Sequence, residues 1–433
     1  MHRQLIAATL VVASTWATRL SAEDSLERTT GCSRPSDADT VVRCALAASP
    51  EVREARERLA AIAGRRQSAG IWLPSNPTVG GTVSNRRRPP PEAVTVFNWS
   101  VILSQELEIG GQRGLRVEAV DAEAAAQARR VGVAEQDVAA GALTALYEAM
   151  AAQEGLQFAA ELAQSAQALA SFAEGRAKEA LLAGVEADVA RAEATRIGLA
   201  RLEAQRRLTD SRAMLAALLD VNVGGLTLPN NVGMAPAIAP GASLEQQALR
   251  LRGEVAAAEM ERKVLERRLA LVRRERVPNI TLSAFAERGE ISDRILGVGV
   301  SVPLPLPSPI GRTRAGEIAE TLAQIRAAES SAELVRRRVR VEVARAIAAL
   351  VARDGASSLF ADDLLARART DLTSLREAIA SRQLALRDGL LWQRSLVELL
   401  QADIQARLDR ALASIDLRRV VGLPMISSEG GAR

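Results

Sequence analysis

The two halves of this chain repeat each other at a constant spacing. Residues 45–52 (ALAASPEV) align with residues 248–255 (ALRLRGEV), and the same offset aligns residues 76–79 (NPTV) with residues 279–282 (NITL). Chance similarity between alanine-rich helices accounts for the first match, but not for matched positions in segments of different character. A repeat of this size indicates that one supersecondary unit occurs twice, with the same order of elements in each copy.

The distribution of prolines predicts long helices in both copies. None of the 16 prolines falls within residues 92–228 or residues 310–423, and a proline in a helix interior costs about 3 kcal/mol. Residues 113–174 alone number 62, which gives a helix of about 93 Å at 1.5 Å per residue.

The sequence therefore predicts a mainly α chain with a small β part, built as two tandem repeats of helix, strand, strand and long helical hairpin. The predicted divisions, in chain order, are a signal peptide (1–22), a first repeat (23–228, with strands at about 77–109 and a helical arm at about 112–222), a linker (229–242), a second repeat (243–424, with strands at about 279–306 and a helical arm at about 313–422) and a C-terminal tail (425–433).

The amino-acid composition is typical of long helices, and the arrangement of charges argues against a nucleic-acid partner. Hydrophobic residues make up 48% of the chain but aromatic residues only 2%, so the apolar content is mostly alanine, leucine and valine, which are typical of long helices. The net charge is +4, and arginines alternate with acids, as in residues 53–58 (REARER). This alternation predicts a solvated helix face with salt bridges, whereas nucleic-acid binding needs basic residues gathered on one face.

The N-terminus has the features of an export signal. Arg3 precedes an apolar stretch that begins at Leu5, and Leu20-Ser21-Ala22 offers a cleavage site. In an exported chain, the two cysteines, Cys32 and Cys44, predict a disulfide. The alternative is a lipid anchor on Cys32, which follows Gly31, although Thr29 stands where a lipoprotein signal usually has leucine.

Four segments alternate apolar and polar residues, as strands with one apolar face do. The clearest is residues 296–306, where Leu296, Val298 and Val300 alternate with Gly297 and Gly299. Segments of this length suit tilted membrane strands, and the alternative is a half-buried sheet in a soluble protein. No later stretch provides the roughly 20 apolar residues of a membrane helix, so a membrane location predicts a barrel. Four strands cannot close one, which predicts oligomerisation, with the turns at 86–91 and 288–293 facing outside.

Two strand-to-helix junctions resemble those of the TolC-type outer membrane factors. They are residues 104–113 (SQELEIGGQR) and residues 302–306 (VPLPL) followed by residues 314–319 (RAGEIA). The first is most similar to the branch that serves heavy-metal cation (cobalt–zinc–cadmium) efflux. The resemblance implies an outer-membrane trimer with a 12-stranded β-barrel continued by an α-helical periplasmic tunnel. It also implies two protein partners, a periplasmic adaptor and an inner-membrane transporter of the resistance–nodulation–division class.

The resemblance also implies a periplasmic gate. Residues 394–402 (RSLVELLQA) are similar to the end of the second arm in that family. There, an arginine holds the channel closed and acidic residues surround the pore. The resemblance therefore implies these roles for Arg394 and Glu398. Asp188 matches the first-arm end as the closing partner. Gln401 stands where the family has a second acid, which predicts a weaker acidic ring.

The sequence predicts no enzymatic activity, no cofactor and no resident metal. It contains no nucleophile elbow, phosphate loop or zinc-ligand spacing, and the only histidine, His2, lies in the predicted signal. The competing functions are a periplasmic coiled-coil adaptor or other interaction protein of an export machine, and a secreted structural coiled coil. An adaptor predicts one helical hairpin between soluble β domains, whereas this sequence predicts two arms and two strand pairs.

Overall fold

A computed structural model describes residues 32–87, 95–229, 243–288, 293–304, 306, 310, 313–360, 362–381 and 385–425. The predicted signal peptide lies outside the described residues, as do the linker after Pro229, the tail after Met425, the interiors of both predicted outer turns, and Pro305 of the second junction.

The same order of elements occurs twice along the chain. The first half comprises α1 (Ala38–Ala48), α2 (Pro50–Ala69), β1 (Thr78–Arg87), β2 (Thr95–Leu107), α3 (Gln112–Lys178) and α4 (Gly184–Leu219). The second half comprises α5 (Ser243–Leu251), α6 (Gly253–Arg274), β3 (Ile280–Arg288), β4 (Arg294–Ser301), α7 (Ala315–Ser357), α8 (Asp362–Ala380) and α9 (Leu386–Val421). The prediction of a mainly α chain with a small β part is confirmed.

The second arm contains a break that the proline pattern does not predict. Helix α7 ends at Ser357 and α8 begins at Asp362. The Ser358 hydroxyl donates to the Gly355 carbonyl oxygen at 2.8 Å, and glycine and serine weaken a helix because of backbone entropy and competing side-chain hydrogen bonds. The helix therefore ends at this Gly-Ala-Ser-Ser sequence without a proline.

The chain divides into two compact units. One contains residues 54–132 and 253–337, and includes a four-stranded sheet of order β1-β2-β3-β4 in which every pair is antiparallel. The central β2–β3 pair joins the two halves of the sequence, with Leu103 opposite Ala284.

The other unit contains residues 1–53, 133–252 and 338–433, and the structure describes its helices. Its cores consist largely of alanine and leucine. One surrounds the fully buried Leu146 and Leu215, and another lies around Ala173 near the ends of the hairpins. Alanine lets helix backbones approach closely, which accounts for a core with so few aromatic residues.

Both arms end with the same left-handed cap. Asp220 (φ 53°) donates its N–H to the carbonyl oxygens of Ala216 and Ala217, and Gly422 (φ 83°) donates to those of Arg418 and Arg419. A Cβ atom at position 422 would lie 3.1 Å from the Arg252 backbone nitrogen. Glycine at this cap therefore satisfies a close backbone approach as well as the positive φ.

Within the described ranges, no helix has both the length and the apolar character required to cross a membrane.

Candidate functional site

The sheet has one exposed apolar face. Alternate strand residues point to opposite faces, and residues directly paired across strands share a face. The observed register therefore places one set of exposed apolar side chains together: Val79, Val83, Phe97, Val101, Leu103, Leu282, Leu296, Val298 and Val300. Val298 is 88% exposed and Leu296 is 83% exposed, so the described residues of one chain leave this face uncovered.

The opposite face is polar and has its own cross-strand hydrogen bonds. The hydroxyl oxygens of Thr78 and Ser104 lie 2.7 Å apart, and those of Thr82 and Ser100 lie 2.6 Å apart. Continuing across the sheet, Ser104 lies opposite Ser283. The sheet thus has one apolar and one polar face, as the alternation in the sequence predicts.

Ile102 and Phe285 interrupt the polar face, and a glycine accommodates each of them. Ile102 lies against Gly80, where an added Cβ atom would be 3.1 Å from its Cγ2 atom. The ring of Phe285 covers Gly297, where an added Cβ atom would overlap the ring. These glycines let neighbouring side chains lie flat on the sheet.

The helical hairpins reverse direction at short turns. Helices α3 and α4 are joined by residues 179–183, where Ala180 has a φ of 55° and the Leu181 N–H donates to the Arg176 carbonyl oxygen. In the second arm, α9 begins after Ala385, and residues 382–384 of its turn lie outside the described range. Ala183 and Ala385 are the N-caps of α4 and α9, and neither forms a side-chain cap.

Each predicted gate residue lies exposed near one of these turns. The exposed side-chain fractions of Asp188, Arg394 and Glu398 are 74%, 63% and 65%. Within one chain, Asp188 and Arg394 do not pair with each other. Arg394 Nε donates to Glu398 Oε1 at 3.0 Å along α9, and Asp188 lies 3.7 Å from Arg191 along α4.

Arg191 also connects the two helices of the first hairpin, which the sequence analysis does not predict. Its Nε donates to Glu174 Oε1 of α3 at 2.8 Å. This hydrogen bond lowers the pKa of Glu174 below its usual 4.5 and raises that of Arg191. Because Glu174 and Arg191 lie on opposite sides of the turn, only the register of the hairpin identifies them as partners.

Cys32 and Cys44 form a disulfide in the structure, with Cα atoms 5.7 Å apart, a usual separation for such a bond. The same N-terminal segment contacts the end of the first repeat, since Thr227 N–H donates to the Ser33 carbonyl oxygen at 3.0 Å.

Across the parts of the chain that the structure describes, no three or more histidine, cysteine, aspartate or glutamate residues are grouped so as to hold a metal ion.

Solved structures with a similar fold include outer-membrane channels. No protein-family profile and no curated protein sequence matches this chain. CusC, studied for conformational changes that accompany folding and transmembrane channel formation, is 17% identical, with 90% of this chain and 92% of that chain covered and a TM-score of 0.75. This chain has the fold of outer-membrane channels.

Two further structures extend the comparison. The outer membrane protein VceC from Vibrio cholerae is 16% identical, with 90% of this chain and 96% of that chain covered and a TM-score of 0.70. The open state of the MtrE outer membrane channel from Neisseria gonorrhoeae is 18% identical, with 90% of each chain covered and a TM-score of 0.69. The similarity thus extends over nearly the whole length of these channels.

Proposed function

We propose that this chain is the outer-membrane channel subunit of a tripartite efflux system, a TolC-type outer membrane factor without enzymatic activity. The observation that supports this most is the exposed apolar face of the sheet, on which Val298 is 88% exposed. Large apolar patches on monomers are rare unless they meet a partner or a membrane. The fold shared with outer-membrane channels favours the membrane.

The proposed assembly is a homotrimer. In the described sheet, β1 pairs only with β2 and β4 only with β3, so two edges are open. Unpaired backbone groups in hydrocarbon cost several kcal/mol each, and joining copies edge to edge removes them. Three copies of four strands give a barrel of 12 strands, and the helical arms form a tunnel in the periplasm.

The proposed partners are a periplasmic adaptor and an inner-membrane resistance–nodulation–division transporter, with outer-membrane lipid around the barrel. An adaptor role for this chain itself is less well supported. An exposed apolar sheet of four strands is not expected in a soluble adaptor. The chain also has two hairpin arms, whereas an adaptor is expected to have one.

We propose heavy-metal cations as the cargo, because residues 106–113 (ELEIGGQR) resemble the cation-efflux branch. The cargo moves through a water-filled lumen without a dedicated protein site, so selection of the ion belongs to the transporter. Deleting the gene in its host is expected to lower resistance to zinc, cobalt or cadmium, whereas loss of resistance to organic drugs alone would exclude this cargo.

The gate is proposed at Asp188, Arg394 and Glu398. Each is exposed and has its nearest described ion-pair partner along its own helix, and Glu398 also interacts electrostatically with Arg196 of α4. Because exposed pairs of this kind are weak, each residue can also contact a neighbouring subunit. The disulfide between Cys32 and Cys44 is proposed to persist in the oxidising periplasm.

Channel recordings test the proposal directly. The purified mature chain is expected to form a trimer that is stable in detergent until heated, and to open ion-conducting pores in planar bilayers. A folded, water-soluble monomer that adds no conductance would show that the sheet does not enter a membrane.

A further inference from the structure

A second exposed apolar patch lies where the first repeat passes from helix to strand and back. Its members are large side chains from two chain segments, just before β1 and just after β2: Ile71, Trp72, Leu73 and Ile109. Trp72 is 77% exposed and Ile109 is 58% exposed. The two segments lie side by side, because the Gln105 side-chain amide donates to the Ser75 carbonyl oxygen at 2.9 Å and the Ser75 hydroxyl donates to Glu106 at 3.3 Å.

The patch combines an indole with a cation. The guanidinium carbon of Arg113 lies 4.1 Å from the centre of the Trp72 ring, and Arg113 Nε donates to the Gly70 carbonyl oxygen at 2.8 Å. Its Nη groups make no further hydrogen bond to the described residues and remain available to an anion. Tryptophan beside a basic residue is typical of the boundary between hydrocarbon and headgroups.

The second repeat differs at the matching place. The offset that aligns the two halves puts Glu275 at the position of Trp72, and Arg314 begins the second arm as Arg113 begins the first. Arg314 pairs with Glu275 at 3.4 Å. The arginine at the start of each arm thus meets an aromatic ring in the first repeat and carboxylates in the second, where Arg314 also donates to Glu317 at 2.6 Å. A carboxylate neutralises the cation and repels phosphate.

The position of the patch along the sheet suits the headgroup level. Strand β2 has 13 residues, which is about 44 Å at roughly 3.4 Å each. A tilt of about 40° reduces this to roughly 34 Å along the bilayer normal, somewhat more than the apolar band of about 25 Å. Residues just beyond the strand ends therefore lie where lipid phosphates and carbonyls are.

We propose that Ile71, Trp72, Leu73 and Ile109, together with Arg113, form a membrane-interface anchor for phospholipid headgroups on the periplasmic side of the first repeat. This inference depends on the proposed function, because it needs the sheet to cross the membrane. In a trimer, three anchors then alternate around the barrel with three Glu275–Arg314 pairs.

Quenching of tryptophan fluorescence by brominated phospholipids tests the anchor. Three variants each keep one tryptophan, namely Trp72, Trp99 or Trp392, with the others replaced by phenylalanine, and each is reconstituted as the full-length trimer. Trp72 is expected to lose more emission to bromine placed near the lipid carbonyls than to bromine deep in the chains. Trp99, on the apolar face of β2, is expected to be quenched, and Trp392 of α9 is not.

The outcomes separate the two proposals. Quenching of Trp99 without quenching of Trp72 would overturn the anchor while leaving the membrane sheet in place, and would point to a neighbouring copy as what covers the patch. Quenching of neither would overturn the membrane sheet itself.

A charge substitution gives a second readout. Trp72→Glu copies the second repeat and leaves Arg113 with a partner, so the junction is expected to fold. It is expected to reduce the fraction of trimer recovered in liposomes, whereas Trp392→Glu, at another exposed tryptophan (61%), is not. Equal effects of the two substitutions would overturn the anchor.

Discussion

Among single residues, Asp188 and Arg394 are the ones whose proposed role needs a second subunit. Each contacts only a residue one turn away on its own helix, at 3.7 Å and 3.0 Å, and exposed pairs of this kind contribute about 1 kcal/mol or less. Three copies of a contact between subunits add to a few kcal/mol, which is enough to keep a two-state gate mostly closed.

The first prediction follows from that gate. Asp188→Ala combined with Arg394→Ala is expected to raise single-channel conductance in planar bilayers without any adaptor. Glu398→Gln is expected to lower cation preference with little change in conductance, and salt is expected to screen this preference. An unchanged closed-state conductance in a double variant that still forms trimers would place the closing contacts elsewhere.

The second prediction concerns the hydrogen bond between Arg191 and Glu174, which holds the first hairpin together near its turn. The pKa of folded Glu174 lies below 4.5 because Arg191 donates to its carboxylate. The stabilisation is therefore complete above pH 4.5 and is lost as the pH falls through the folded value.

Hydrogen exchange at the amides of residues 175–190, corrected for intrinsic rates, is expected to rise in that acidic range. In Glu174→Gln, exchange is expected to be raised already at neutral pH and to change little on acidification. The same acid response in both proteins would show that another group governs the turn.

The sequence predicts the gate residues one by one, through resemblance, but not their contacts. Asp188 and Arg394 follow from matched motifs in the two arms. Glu174 does not, because its pairing with Arg191 depends on how many residues the turn contains and how the two helices face each other. The sequence therefore predicts the positions of the gate residues more readily than it predicts a contact between two residues on opposite sides of a turn.

Among the elements, β4 gives the clearest test of which face meets lipid. Val300 lies on the apolar face and is 68% exposed, and the next residue, Ser301, lies on the polar face. Val300→Arg is expected to cost about 2–4 kcal/mol near the bilayer centre and to reduce trimer assembly. Ser301→Arg is expected to assemble normally and to change conductance. Similar behaviour of the two variants would mean that the register is wrong.

The contact between Gly297 and Phe285 gives a fourth prediction at this scale. A methyl group at position 297 overlaps the Phe285 ring, and overpacking of this kind costs about 1–3 kcal/mol. Gly297→Ala is expected to lower the thermal midpoint of the trimer in the presence of Phe285, but not in a Phe285→Ala background. If the thermal midpoint falls equally in both backgrounds, the cost arises from the strand backbone and not from contact with the Phe285 ring.

The strands were predictable because alternation marks each of them, and the strand order was not. No local sequence pattern indicates that β2 pairs with β3, because the whole first arm separates these strands in the chain. The break between α7 and α8 was missed for another reason. It results from glycine and serine near residue 357, whose effect on a helix is much smaller than that of a proline.

At the scale of the whole molecule, the open edges of the sheet determine how copies of the chain can assemble. Strands β1 and β4 have partners on one side only, and their apolar face is exposed. Pairing β4 of one copy with β1 of the next is a head-to-tail contact, which closes into a ring or continues as an open polymer according to its rotation. Only a closed ring leaves no edge in lipid.

Crosslinking between edge strands tests closure. Val83→Cys on β1, combined in turn with Val298→Cys or Val300→Cys on β4, introduces thiols on the apolar face while Cys32 and Cys44 remain in their disulfide. Oxidation of the reconstituted protein is expected to give covalent products up to three chains and no larger, because the third link closes the ring. The matched control, Leu103→Cys with Ala284→Cys, joins residues paired within one chain and is expected to crosslink without any gain in mass. A ladder that continues beyond three chains would indicate an open polymer, and products limited to two chains would indicate a dimer with edges still exposed.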